Sequence, residues 1–208
     1  MKSRMLLLFS SVLVAMTLAS PCSAETIGVF SGALSLGDPT QMGRLSRNGI
    51  AQDWTGTETF PGVINTGVTY HYEVIDIPAA EIALTPFIQI TVDSVSTNTF
   101  FSAYNGSYDP TNKATNWLGD AGTSGNFFGV DPIFFQVTAG SGDLLILVNN
   151  TGAGNVGVGD PFTVTVEGFI DTQFDDPPAN VPEPASLVLL GSGFAGVFAA
   201  YKKRKSAQ

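Results

Sequence analysis

Short stretches in the middle of the chain alternate apolar and polar residues with a period of two. The clearest three are residues 68–74, 88–93 and 162–167. Successive side chains of a β-strand point to opposite faces, so this alternation predicts strands with one buried side and one solvent-facing side. Denser apolar runs predict central strands of a sheet, and they lie at residues 100–104, 133–137 and 144–148.

Turn-forming residues separate these stretches, for example at Asn105-Gly106 and Asp131-Pro132. No sustained 3.6-residue period appears between residues 25 and 170. The pattern therefore predicts an all-β fold for residues 25–170. We expect an antiparallel, jelly-roll-like β-sandwich of about six to nine short strands.

The N-terminus has the layout of a secretory signal peptide. Lys2 and Arg4 precede an apolar stretch, and the segment ends in the small residue Ala24. This predicts a signal helix within residues 1–24, the Sec export machinery and signal peptidase as partners, and cleavage between Ala24 and Glu25. Lipidation of Cys22 is the alternative, and Pro21 directly before it argues against that. After cleavage at Ala24 the chain has no cysteine for a disulfide or a thiolate site.

The C-terminus carries a second apolar run, of 17 uncharged residues from Ala185 to Tyr201. As a helix this run is about 25 Å long, slightly less than a ~30 Å hydrocarbon core. It predicts a single transmembrane helix at residues 185–201. The basic cluster that follows should stop translocation and stay cytoplasmic, and it consists of Lys202, Lys203, Arg204 and Lys205.

The segment between the two predicted termini is strongly acidic. The whole chain has a formal net charge of −9, but between Glu25 and Asn180 three cations face 17 acids, which leaves −14. A body with this charge excludes non-specific binding to nucleic acid. It favours solubility, or attraction of divalent cations. Residues 171–180 are acidic and rich in proline, which predicts a semi-rigid linker.

Catalytic chemistry has few candidates in this sequence. His71 is the single histidine, and a catalytic role would require a nucleophile such as Ser94 or Ser96 and an acid such as Asp76. No Gly-x-Ser-x-Gly motif, phosphate-binding loop or dinucleotide fingerprint accompanies these residues. We therefore predict no catalytic residue and a protein that is not an enzyme.

Calcium is the metal that the sequence leaves open. Asp109 and Asp120 flank a loop that also holds Tyr108 and Trp117, and carboxylates are ligands that calcium prefers. No twelve-residue calcium loop is present, and Asp also favours turns because its side chain binds the nearby backbone. The two aromatic rings fit a sugar platform or an anchor in the core equally well. Asp109 and Asp120 are thus weak calcium candidates, and we expect no other cofactor.

Residues 181–208 combine three features in a fixed order. Val181, Pro182, Glu183 and Pro184 come first, the apolar run follows, and the basic cluster ends the segment. This arrangement resembles the PEP-CTERM sorting signal of exported proteins in Gram-negative bacteria that make extracellular polysaccharide. The resemblance implies exosortase as a partner and processing near Val181–Pro184. It also implies an intermediate anchored in the inner membrane, followed by release to the cell surface or extracellular matrix.

The body carries a second resemblance, across residues 32–169. Its motifs are Gly32-Ala33-Leu34, Arg44–Gly49, Phe101–Pro110, Asn116–Gly122, Phe134–Gly140 and Phe162–Gly168. In this order they are similar to accessory β-sandwich domains of the bacterial pre-peptidase C-terminal (PPC) type, with Phe162 where those domains usually have Tyr. The resemblance implies a non-catalytic module that stabilises, targets or binds.

Together these features predict an exported, non-enzymatic protein of the cell envelope or extracellular matrix. The alternative is a carbohydrate-binding or calcium-binding module of the matrix, with extracellular polysaccharide as its partner.

Overall fold

The computed structural model describes residues 24–56, 58–126, 129 and 131–170, and these form nine β-strands and one four-residue helix. The strands are β1 (Glu25–Ala33), β2 (Thr40–Leu45), β3 (Val63–Ile77), β4 (Phe87–Ser94), β5 (Thr99–Asn105), β6 (Trp117–Asp120), β7 (Ile133–Thr138), β8 (Leu144–Asn150) and β9 (Pro161–Phe169). The helix α1 (Ala79–Ile82) connects β3 to β4.

The strands form two antiparallel sheets, which confirms the predicted all-β class and the β-sandwich. One sheet has four strands in the order β1-β9-β4-β7, and the other has five in the order β2-β3-β8-β5-β6. The jelly-roll and PPC likenesses remain predictions. The predicted transmembrane helix at residues 185–201 and nearly all of the signal helix lie outside the described residues. Within the described part, no helix is both long enough and apolar enough to cross a membrane.

The core lies between the inner faces of the two sheets. In β4 the alternate residues Ile88, Ile90 and Val92 are completely buried, and they pack with residues such as Phe101 and Ile146 of the opposite sheet. Each such side chain contributes roughly 1.5–3 kcal/mol through its removal from water. In β4 the period-two pattern seen in the sequence therefore marks the side that faces this core. In β3 it does not, because Tyr72 and Val74 of the predicted stretch lie on the other face from the core residues Ile75 and Ile77.

The dense apolar runs predicted central strands correctly in two of three cases. β5 and β8 are central, since each pairs with a strand on both sides. The prediction for residues 133–137 is wrong, because β7 is the last strand of its sheet. The run is rich in apolar residues because Phe135 and Val137 face the core. Phe134 does not share this burial and is 55% exposed.

A connection between β2 and β3 closes the sandwich beside β6 and β7. We call residues 46–56 and 58–62 the covering segment. Its Gln52 N–H donates to the Asp120 carbonyl at 3.0 Å, and the Gln52 carbonyl accepts from the Gln136 N–H at 2.8 Å. Gln52 thus bonds the edge strands of both sheets, which protects two edges that would otherwise be open.

Trp54 fixes the covering segment to the four-stranded sheet. Its Nε1 donates to the Ile88 carbonyl at 3.1 Å. Its ring meets those of Phe87 and Phe169 edge to face, with centroids 6.1 and 5.2 Å apart. These contacts bury an apolar patch at the end of β4 and β9 and hold the segment in place over β6.

Candidate functional site

Asp109, one of the two calcium candidates, lies in an exposed loop after β5. Its Oδ1 accepts hydrogen bonds from the backbone N–H of Thr111 at 2.8 Å and from the Thr111 hydroxyl at 2.7 Å. These bonds stabilise the ionised carboxylate and lower the pKa of Asp109. The side chain therefore shapes a turn, as the alternative interpretation of the sequence expected.

Asp120, the other calcium candidate, ends β6 and is completely buried. Its Oδ1 accepts from the Gly122 N–H at 2.7 Å. Asp109 and Asp120 thus occupy different environments, one in water and one under the covering segment. Among the described residues, no three side chains of the Asp, Glu, His or Cys type come together as a metal-binding group.

The aromatic residues of the loop serve packing. Trp117 meets Phe60 of the covering segment edge to face, with ring centroids 5.6 Å apart. Tyr108 packs edge to face against Tyr104 at 4.7 Å and Tyr72 at 5.3 Å, and its hydroxyl donates to Gln41 Oε1. Rings in these contacts act as anchors, which favours the core interpretation over a sugar platform.

A polar cluster lies on the outer face of the five-stranded sheet, beside the covering segment. We define it as Glu58, Ser102, Tyr104, Trp117 and Asp120. The β5–β6 register places Ser102 opposite Asp120 and Tyr104 opposite Trp117, with a register shift between Ala103 and Tyr104. Glu58 comes from the covering segment, and its carboxyl lies beside the backbone N–H of Asp120.

Each member of the polar cluster has one buried polar atom for which the described residues offer no aligned hydrogen-bond partner. These atoms are Glu58 Oε2, Ser102 Oγ, Tyr104 OH, Trp117 Nε1 and Asp120 Oδ2. The side chains of Trp117 and Asp120 lie within hydrogen-bonding reach of each other, as do those of Tyr104 and Ser102, and the Glu58 carboxyl lies within reach of the Asp120 backbone N–H. None of these contacts is an aligned hydrogen bond to the atoms named above. A buried polar group left unpaired costs about 1–3 kcal/mol, so five in one place call for a physical explanation.

The electrostatics of the cluster follow from its burial. Desolvation, with a smaller contribution from the charge of Glu58, raises the pKa of Asp120 to about 8. Burial also raises the pKa of Glu58, although the side chain of Asn48 donates to its Oε1 at 3.0 Å. Desolvation likewise raises the pKa of the Tyr104 hydroxyl. The Asp120 carboxyl therefore binds a proton more tightly than an exposed aspartate does.

Two glycines let the covering segment approach β6 closely. A Cβ on Gly122, whose φ is +67°, would lie 2.3 Å from the carbonyl carbon and oxygen of Ile50. A Cβ on Gly119 would lie 2.5 Å from Gln52 Cγ. Glycine at these two positions is what permits the segment to bury Asp120. The sequence shows the glycines but not the contact, because their partners lie about 70 residues earlier in the chain.

The residues considered for catalysis are each engaged with other partners. His71 is on β3, where its Nδ1 is 3.4 Å from the Asp38 carbonyl oxygen. Ser94 Oγ bonds Thr99 Oγ1 at 2.9 Å, and Ser96 Oγ donates to Asp160 at 2.5 Å. Each of these three side chains is therefore already in contact with a neighbouring residue.

Comparison with known families concerns the C-terminal end of the chain. A family model described as the PEP-CTERM protein-sorting motif matches residues 180–205. The chain carries a PEP-CTERM sorting motif. This finding supports the predicted exosortase substrate, with export and a membrane-anchored intermediate. The motif residues Val181–Pro184 and Lys202–Lys205 lie outside the described residues. No curated protein matches the chain.

Proposed function

We propose that this protein is an exported, non-enzymatic component of the cell envelope or extracellular matrix, delivered by exosortase in a Gram-negative bacterium that makes extracellular polysaccharide. The match of the PEP-CTERM motif to residues 180–205 carries the proposal. The β-sandwich is the part displayed outside the cell, and the C-terminal segment directs it there.

The chemistry of the motif suits a processing site. Pro182 and Pro184 restrict the backbone to extended conformations, so a protease cleft binds it with little ordering cost. Glu183 places one carboxylate between them, which a cation of the enzyme can recognise. The apolar run and the basic cluster keep this sequence close to an enzyme embedded in the membrane.

The described sandwich supports a role in display over a role in catalysis. His71, Ser94 and Ser96 each bond to other neighbours, and the aromatic rings of Tyr108 and Trp117 pack against other rings. The −14 charge of residues 25–180 favours a soluble domain. The acidic, proline-rich linker at 171–180 would hold this domain away from the membrane.

Export with and without exosortase tests the proposal. The chain is expressed in two matched bacterial strains, one with an exosortase and one lacking it, and the intact mass of the protein is measured in each cell fraction. We expect that only the strain with exosortase yields a product that starts at Glu25 and has lost the apolar run. The full tail through Gln208 should remain, in the membrane fraction, in the other strain. Identical products in both strains would refute the proposal.

A further inference from the structure

Within the part of the chain that the structure describes, the polar cluster holds four buried oxygens without an aligned hydrogen bond: Glu58 Oε2, Ser102 Oγ, Tyr104 OH and Asp120 Oδ2. Ser102, Tyr104 and Asp120 are each 0% exposed. Their positions are fixed by regular β-structure, since the first two belong to β5 and the third to β6. A site built on strands holds its oxygens in place before a ligand arrives.

The residues that carry the four oxygens are neighbours, three of them on the β5–β6 pair and one on the covering segment. Ser102 lies directly opposite Asp120 in the β5–β6 pair. The Tyr104 hydroxyl is next to Ser102 and within electrostatic reach of Asp120. Glu58 reaches the same place from the covering segment, beside the Asp120 backbone.

Two of the four groups are carboxyls, and among the described residues no basic side chain bears on either of them. Glu58 Oε1 accepts from Asn48 and Asp120 Oδ1 accepts from Gly122, whereas the second oxygen of each carboxyl has no aligned partner within the same part of the chain. When both carboxyls are ionised they require a counter-charge, and water alone supplies hydrogen bonds without neutralising them. A cation supplies the missing charge and accepts lone pairs from all four oxygens.

We propose that the polar cluster binds one calcium ion, with Glu58 and Asp120 as the charged ligands and Ser102 and Tyr104 as neutral ones. The ligand set contains only oxygen, which selects hard cations over zinc or copper. Calcium tolerates irregular coordination by six to eight oxygens, whereas magnesium demands near-ideal octahedral geometry. Water molecules complete the shell. Trp117 Nε1 donates to a carboxylate oxygen or to one of these waters.

The ion would fasten the covering segment to the sandwich. Glu58 belongs to that segment, and Asp120 belongs to the β6 edge that the segment protects. Glu58 is only half-buried, so the ion enters from its side and leaves the core undisturbed. Binding joins the two by ionic contacts and stabilises the native state alone, since the unfolded chain does not bring these residues together.

Thermal unfolding of the full-length chain in detergent tests this site. The protein is freed of metal with a chelator, and its melting temperature is followed by circular dichroism as CaCl2 is added. For a dissociation constant of about 10 µM, 1 mM CaCl2 should raise the melting temperature by about 5–10 °C. Equilibrium dialysis with calcium alone should give one ion per chain, and MgCl2 at the same concentration should give a much smaller rise.

Three variants assign the effect to the cluster. Asp120→Asn and Glu58→Gln keep the shape of each side chain but remove its charge, so each should abolish most of the rise in melting temperature. Asp109→Asn is the matched control: it removes one exposed carboxylate from a neighbouring loop and should keep the full rise. If wild type shows no rise at 10 mM CaCl2, or if Asp120→Asn and Glu58→Gln respond as wild type does, the proposal is wrong and the cluster holds water and a proton instead.

Discussion

The close approach of the covering segment to β6 predicts a large cost for one added methyl group. Gly122→Ala places a Cβ 2.3 Å from the carbonyl carbon and oxygen of Ile50, where ordinary carbon contacts are about 3.5–4.0 Å. Those atoms belong to the backbone and cannot rotate away. The segment must therefore move, and with it the bond from the Gly49 N–H to the Gly122 carbonyl, now 2.9 Å.

The expected loss of unfolding free energy for Gly122→Ala has a conformational part and a steric part. Gly154→Ala is a control for the conformational part. Gly122 has φ +67°, a left-handed conformation that costs an L-residue roughly 1–2 kcal/mol. Gly154 has the same φ of +67° but no atom within 4 Å of its Cβ position. Gly154→Ala should therefore lose about 1–2 kcal/mol of unfolding free energy. Gly122→Ala should lose that and about 1–3 kcal/mol more for the steric overlap.

Urea unfolding of wild type and both variants, followed by circular dichroism, measures the difference. We expect Gly122→Ala to be less stable than Gly154→Ala by at least about 1 kcal/mol. Equal losses would show that the covering segment does not rest on β6 as described, and the burial of Asp120 would lose its explanation.

Two further predictions concern the ends of the chain. The mature protein should begin at Glu25, because the signal-peptide pattern ends at Ala24; N-terminal sequencing of the exported product checks this, and retention of Met1 or a lipid on Cys22 contradicts it. Residues 25–175 should fold without the tail, because they contain all nine described strands and no cysteine; a helical or disordered far-UV spectrum of that fragment, expressed in the cytoplasm, contradicts this.

Two of the strands predicted from sequence, β4 and β9, have burial that alternates along the strand. In β4 and β9 the inward residues Ile90 and Val164 are completely buried while their neighbours face outward, so the pattern alone identifies these strands. β1 was not predicted, because five of its nine residues are exposed, none is buried, and it includes Gly28 and Gly32. Pairing with β9 makes it a strand, and that pairing is not visible in its own composition.

The candidate site, too, could be predicted only in part from the sequence. Asp120 was singled out because aspartate in a turn is a general signal, but Asp109 was paired with it only by proximity in sequence. The residue that meets Asp120 is Glu58, from a segment 62 positions earlier in the chain. Such a contact depends on how the connection between β2 and β3 crosses the sheet edges. No local pattern encodes that path.

Processing at Glu183 tests the central claim most directly. Glu183→Ala is made with Pro182 and Pro184 kept, and the exported products are compared with wild type by immunoblot and intact mass in a strain with exosortase. Asp176→Ala, which removes an equal charge from the linker, is the control and should be processed normally. Changing Lys202, Lys203 and Lys205 to Gln should instead disturb membrane retention or orientation.

We expect Glu183→Ala to remain at full length in the inner membrane, because the enzyme loses the one charge at a fixed place in its substrate. If Glu183→Ala is processed and released as wild type is, the C-terminal segment acts only as an anchor and the sorting account is wrong.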